Sequence, residues 1–152
     1  MDIKYVLAVD PGKTTGVALF SWENNKEPKL IDSQELEFSD YVHSVRNYFT
    51  EYGSLEVVCE KFTINVQTAK KSQAPFSLEC IGALRVILLD RGHDPESLKF
   101  QLPANAMNMF PNEKLKKLEY WHRGGAGHAL DAIRHGLLYL VMSGWVPRRL
   151  LQ

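Results

Sequence analysis

Residues 4–10 run almost without a polar break, the pattern of a strand buried on both faces. Pro11-Gly12-Lys13 interrupts that run. Residues 16–22 then read as a second strand, Asn24-Asn25 as a turn, and residues 29–38 as a third, more polar strand. Together they predict an antiparallel meander. Ser39 stands where it would cap a helix whose Val42, Val45, Phe49 and Tyr52 share one face, with Gly53 at its end. Residues 55–60 return to the pattern of a buried strand, and residues 62–74 are polar and irregular, the signature of a loop. A helix follows over 76–91, with Leu78, Ile81, Leu84, Ile87 and Leu88 apolar and Gly92 behind it. Residues 98–102 read as a short strand, and 103–120 as one or two short helices around Pro111. The last helix, 127–143, is strongly apolar and is ended by Gly144 and Pro147. The predicted order is βββ-α-β-α-β-α, a fold of the α/β class.

At 152 residues, with 45% apolar and 24% charged residues, the chain is sized for a single domain spanning 1–152 with a sizeable core. No apolar run approaches the roughly 20 residues of a membrane helix. The opening Met1-Asp2-Ile3-Lys4-Tyr5 leads straight into a strand rather than into a cleavable apolar segment. Two cysteines, Cys59 and Cys80, suggest neither a disulfide framework nor a cysteine zinc site, so an intracellular, cytoplasmic setting is expected. Net charge is zero, but its distribution is uneven: residues 1–60 hold 5 Lys/Arg against 11 Asp/Glu, and residues 61–152 hold 13 against 7. Such a chain suits an acidic metal pocket beside a basic surface for a polyanion; ordinary uneven surface charge is the alternative.

Asp10 ends the first strand and precedes a tight turn with Gly12 and Gly16, where a phosphate or metal can approach the backbone. Gly12-Lys13-Thr14 is not a P-loop, because the required earlier glycine is replaced by Leu7. Glu60 ends the run Val57-Val58-Cys59-Glu60. An unpaired buried Glu costs several kcal/mol, so this position points to chemistry rather than packing. If the two strands are parallel neighbours, Asp10 and Glu60 stand side by side and repel unless a cation lies between them or Lys61 neutralises them. His128 and Asp131 lie at i and i+3 on one face of the last helix, and His135 follows at i+4 from Asp131, either as a further ligand or as a structural histidine. Carboxylates with at most one imidazole suit Mg²⁺ or Mn²⁺ better than Zn²⁺.

These residues resemble the RuvC family of Holliday-junction resolvases, within the RNase H-like superfamily. Val9-Asp10-Pro11-Gly12 with Thr15-Gly16-Val17-Ala18 is similar to that family's opening strand and hairpin. Cys59-Glu60-Lys61-Phe62 is similar to its fourth-strand Glu with an aromatic beyond, here two residues on rather than three. Gly127-His128-Ala129-Leu130-Asp131-Ala132 is similar to its closing helix, and Ile81-Gly82-Ala83-Leu84-Arg85 to its long helix. The basic region before the last helix is only loosely present, as Lys114, Lys116 and Lys117, and the segment 105–110 has no clear counterpart. The short, divergent character suggests a phage-encoded or otherwise mobile version.

The resemblance implies a mixed five-stranded sheet, three antiparallel strands followed by two parallel ones, flanked by helices. It implies metal ligation by Asp10, Glu60, His128 and Asp131, and a homodimer, joined through helix 76–91, that cuts opposed strands of a four-way DNA junction. Two Mg²⁺ or Mn²⁺ ions bridged by Asp10 would activate water and stabilise the departing oxygen. Lys61, Phe62, Lys70 and Lys71 are expected at the junction centre, the lysines on phosphates and Phe62 on an unpaired base. Lys114, Lys116, Lys117, Arg123, Arg148 and Arg149 are candidates to hold the duplex arms. Rival readings are an RNase H-like nuclease for flaps, forks or RNA–DNA hybrids, and a non-catalytic junction-binding module. An ATP-binding domain of the actin/hexokinase kind needs a second lobe, for which there is no room.

Overall fold

The computed structural model describes residues 2–69 and 74–152. Its framework is a five-stranded sheet built from β1 (Ile3–Asp10), β2 (Thr15–Glu23), β3 (Lys29–Leu36), β4 (Glu56–Glu60) and β5 (Lys99–Gln101). The order across the sheet is β3-β2-β1-β4-β5. β1 pairs antiparallel with β2, and β2 with β3, so the meander forms as expected. β4 pairs parallel with β1, and β5 parallel with β4.

Both faces of the central strands are covered. Val6, Ala8, Phe20 and Val58 pack on one side against α4 (Pro103–Met109), α5 (Asn112–Lys117) and α6 (His128–Met142). Leu7, Val9, Leu19, Val57 and Cys59 face the other side, against α1 (Phe38–Tyr52) and α3 (Ala74–Asp90). The two-residue period of a strand sends alternate side chains to opposite faces, so an unbroken apolar run is what a doubly covered strand requires. No helix among the described residues is long and apolar enough to cross a membrane. Cys59 and Cys80 are buried free thiols, in line with the expected lack of a disulfide.

Local differences from the sequence reading have local causes. Ser39 does not cap α1. Glu37, with extended backbone, stands at that position, and its carbonyl accepts from Tyr41 N at 2.9 Å, so the helix starts two residues early with no side-chain cap. Gly53 does end α1, at φ 77°. The loop 62–74 contains one helical turn, α2 (Val66–Ala69), and α3 begins at Ala74 because Pro75 is tolerated in a first helical turn. A short 3₁₀ turn, Pro95–Ser97, leads into β5.

α6 lies very close to the sheet, and two glycines permit it. A Cβ on Gly16 would stand 1.9 Å from the His128 carbonyl oxygen, and one on Gly136 2.5 Å from the Phe20 ring. Gly82, within α3, has nothing within 4 Å of the corresponding position. Gly16→Ala is therefore expected to destabilise the fold by about 1–3 kcal/mol or more, since backbone atoms must move. Gly82→Ala should stabilise it by up to about 1 kcal/mol through helix propensity. Chemical denaturation of the two variants separates these opposite signs.

Candidate active site

The register Val9↔Cys59 sets the carboxyl ends of β1 and β4 beside each other. Asp10 and Glu60 follow directly, and their carboxyl groups come within hydrogen-bonding reach. α6 closes over this corner. His128 Nδ1 lies 3.1 Å from Asp10 Oδ2, and Asp131, one turn on, adds its charge to the same field. Asp10, Glu60 and His128 thus meet at one place, and Asp131 lies near enough to add its charge, the four drawn from three elements.

Two further residues at this corner, Arg134 and Glu35, were not singled out in the sequence, and a third, His135, stood there as either a further ligand or a structural histidine. Arg134 is buried and grips Asp131 at 2.7 Å while its Nε donates to the Phe110 carbonyl at 2.9 Å and a terminal nitrogen donates to Asn112. His135, only 1% exposed, stands between Gln101 Oε1 at 2.9 Å and Glu60 Oε2 at 3.6 Å. It is a buried, hydrogen-bonded histidine that faces one of the candidate ligands. Glu35 on β3 accepts from Ala126 N at 2.8 Å and Ala129 N at 3.3 Å, so it holds the amino end of α6, which has no side-chain cap of its own. The signals were faint: a Glu in a polar strand opposite Gly16, and an Arg-His pair inside an otherwise apolar helix.

The turn after Asp10 is braced from the other face. Ser77 Oγ donates to the Pro11 carbonyl at 3.1 Å, and Thr15 Oγ1 lies 3.2 Å from both the Gly12 carbonyl and Cys80 Sγ. α3 thereby fixes the backbone on which Asp10 rides.

Electrostatics follow from the crowding. Burial, then the hydrogen bond and charge of Glu60, then Asp131, hold the Asp10 carboxyl well above the ordinary carboxylate range. Burial also raises Glu60, but hydrogen bonds from His135 and Asp10 outweigh it and the net direction is down. Asp131 is raised by burial and by Glu60 against the opposing pull of Arg134. Two crowded, buried carboxyl groups are a chemical fit for a hard divalent cation, whose positive charge offsets their repulsion. The cage is not preformed, however. Among the described residues no group of three His, Cys, Asp or Glu side chains is spaced to hold an ion, and Asp131 is turned toward Arg134.

The remaining predicted positions are scattered. Lys61 is exposed and does not neutralise the Asp10–Glu60 pair; the two histidines face those carboxylates instead. Phe62 is half-buried just beyond β4. Lys70 and Lys71 lie outside the described residues. Lys116 sits over the Trp121 ring at 4.6 Å, Lys117 donates to the Gln152 carbonyl at 3.1 Å, and Lys114 is exposed on the same helix. Arg149 is tied to Glu27 and Glu119, at 3.3 and 3.0 Å, beside Trp22 at the opposite end of β2 from Gly16.

A mixed sheet of this order with an acidic cluster at the carboxyl ends of its central strands defines an RNase H-like fold, and in particular a RuvC-like one. Thermus thermophilus RuvC, solved in complex with a Holliday junction substrate, superposes with a TM-score of 0.70 at 14% identity, covering 92% of this chain and 96% of that one. A second Thermus thermophilus RuvC structure gives a TM-score of 0.69 at 14% identity, with 91% and 96% covered. At this identity the likeness is one of fold. No protein-family model and no curated protein matches the sequence.

Because the folded chain holds the Asp10 proton more tightly than the unfolded one, that group's stabilising contribution is complete below the unfolded value near 4. It is lost as pH rises toward its raised folded value. Metal-free Asp10→Asn protein should therefore melt above wild type near pH 8, by on the order of 1 kcal/mol or roughly 2–4 °C. The gap should close toward pH 4. Calorimetric melting in chelator across that range checks it, and equal stabilities at every pH would contradict the buried-charge account.

Proposed function

We propose that this chain is a divalent-metal-dependent endonuclease that cuts branched DNA, four-way junctions foremost, and that its 152 residues act as one nuclease domain inside the cell. The reading is carried by one observation: Asp10, Glu60, Asp131 and His128 converge at the carboxyl ends of β1 and β4 on a RuvC-like fold. The structural neighbour's complex with a Holliday junction supports the choice of substrate.

Asp10, Glu60, Asp131 and His128 would hold Mg²⁺ or Mn²⁺. The bound ions supply an activated water and charge stabilisation for the departing oxygen of a phosphodiester. The chain's own groups set the stage for that chemistry. Asp10 and Glu60 present paired anionic oxygens from rigid strand ends. His135 holds Glu60 in direction and Arg134 holds Asp131. His128, beside Asp10 and partly exposed, would either be a ligand or orient the attacking water.

Lys61, exposed, and Phe62 beyond it extend from the active strand toward the substrate, with Lys114 and Arg123 available to phosphates. Homodimerisation would use α3. Its Cys80, Leu84, Ile87 and Leu88 are buried, whereas Val86 is 54% and Leu89 62% exposed, so the helix carries apolar surface beyond what its own core covers.

Cleavage of a synthetic four-way junction in Mg²⁺ or Mn²⁺, set against flaps, forks and RNA–DNA hybrids, tests the substrate. Asp10→Asn and Glu60→Gln should fold yet cut about a thousandfold more slowly or worse. Full-rate cutting by either would remove it from the catalytic set. Binding without any metal-dependent cutting would favour a non-catalytic junction-binding module. In sedimentation, wild type is expected as a dimer at micromolar concentration and Leu89→Glu as a monomer; a monomeric wild type contradicts the α3 interface.

A further inference from the structure

A cleft of about 800 Å³ opens beside the active site between β5, α4 and α6, within the roughly 300–1,000 Å³ typical of ligand sites. α4 contributes to two clefts. Its Ala104 and Met107 line a smaller one shared with Glu60, Asp131 and His135, and its Asn105 and Asn108 line this larger one. These asparagines belong to the segment 105–110, for which the RuvC resemblance offers no counterpart.

The lining has two characters. Phe100, Leu138 and Met142 supply apolar surface, and Phe100 and Met142 are 46% and 79% exposed. Gln101, Asn105 and Asn108 supply carboxamides, and Lys61 an ammonium group. A purely apolar occupant would desolvate the Asn105 and Asn108 carboxamides, and the amide nitrogen of Gln101, at a cost for each. A planar heteroaromatic ring meets both demands. Its faces stack on Phe100, and its edge meets side chains that offer a donor and an acceptor side by side, the geometry with which Asn and Gln read nucleobases. Lys61, directly after Glu60, suits the phosphate attached to such a ring.

The cleft is also joined to the catalytic carboxylates. Gln101 lines it and at the same time contacts His135 Nδ1 at 2.9 Å, and His135 Nε2 lies 3.6 Å from Glu60 Oε2. The Lys61 backbone N–H donates to the Gln101 carbonyl at 2.7 Å, fixing β5 against the end of β4.

We propose that this cleft receives one unstacked nucleobase of the strand being cut, that Asn105 and Asn108 read its edge, and that Gln101 links its presence to Glu60 through His135. The proposal rests on the nuclease reading above. It makes the enzyme selective for the base next to the cut.

The test uses four-way junctions identical except at the nucleotides flanking the cut, carrying each base in turn or an abasic site. Wild type is expected to differ by about tenfold or more between its best and worst base, with the abasic site slowest. The Asn105→Ala/Asn108→Ala double variant, exposed and expected to fold, should compress that range to about twofold. A 2-aminopurine at the same position should change its fluorescence on binding metal-free wild type, and not on binding the double variant. Failure of wild type to cut any branched DNA would sink the nuclease reading itself. Cutting that ignores the base and the abasic site, a range unchanged in the double variant, or a silent 2-aminopurine would each overturn the cleft while leaving that reading intact. A shift of the double variant to a smaller oligomer would also overturn it, by making the cleft a contact between copies.

Discussion

Everything at the active corner answers to the repulsion between carboxylates that the sheet forces together away from water. β1 and β4 run parallel in a register that ends both on an acidic residue, so Asp10 and Glu60 have no means of avoiding each other. Opposite charge or a shared proton must come from outside the two strands. In the protein alone His128 and His135 face the two carboxyl groups, and Asp10 is held well above the ordinary carboxylate range. Each solution depends on α6 lying almost in contact with the sheet. That helix can do so because glycines occupy positions 16 and 136, and because Glu35 satisfies amides at its amino end.

Arg134 is the second constraint. A buried guanidinium is costly unless every donor finds an acceptor, and here it reaches Asp131, the Phe110 carbonyl and Asn112. It therefore ties the junction of α4 and α5 to the acidic cluster. The position of α4, and with it the two clefts that α4 lines, is set by the same residue that directs a candidate ligand. Site and substrate surface are mechanically one unit on this side of the sheet, while α1 and α3 brace the other side and hold the turn after Asp10 through Ser77 and Thr15.

Much of this was legible along the chain. The unbroken apolar runs ending at Asp10 and Glu60 marked central strands, because a strand covered on both faces has no position for a polar side chain. The last helix announced itself by its length and its apolar content. Asp10 and Glu60 could be picked out because an acidic residue ending a buried run is expensive unless it is used, and His128 and Asp131 by their i, i+3 spacing on one helix face, the family resemblance joining the four. The ends of the helices were less legible: Ser39 looked like a cap, but backbone geometry at Glu37 starts α1 earlier.

What the sequence determined, then, was the set of elements and the residues with chemical intent, since burial and period are written locally. It did not determine who neutralises whom. Glu35 is 94 residues from Ala129, Gln101 is 34 from His135, and Arg134 is 24 from Phe110. No local pattern encodes such pairings, because a hydrogen bond between distant side chains exists only once strand order and helix placement have fixed both ends. The tertiary structure alone decided that His128 and His135 rather than Lys61 face Asp10 and Glu60, that Arg134 holds Asp131, and that a cleft opens beside them.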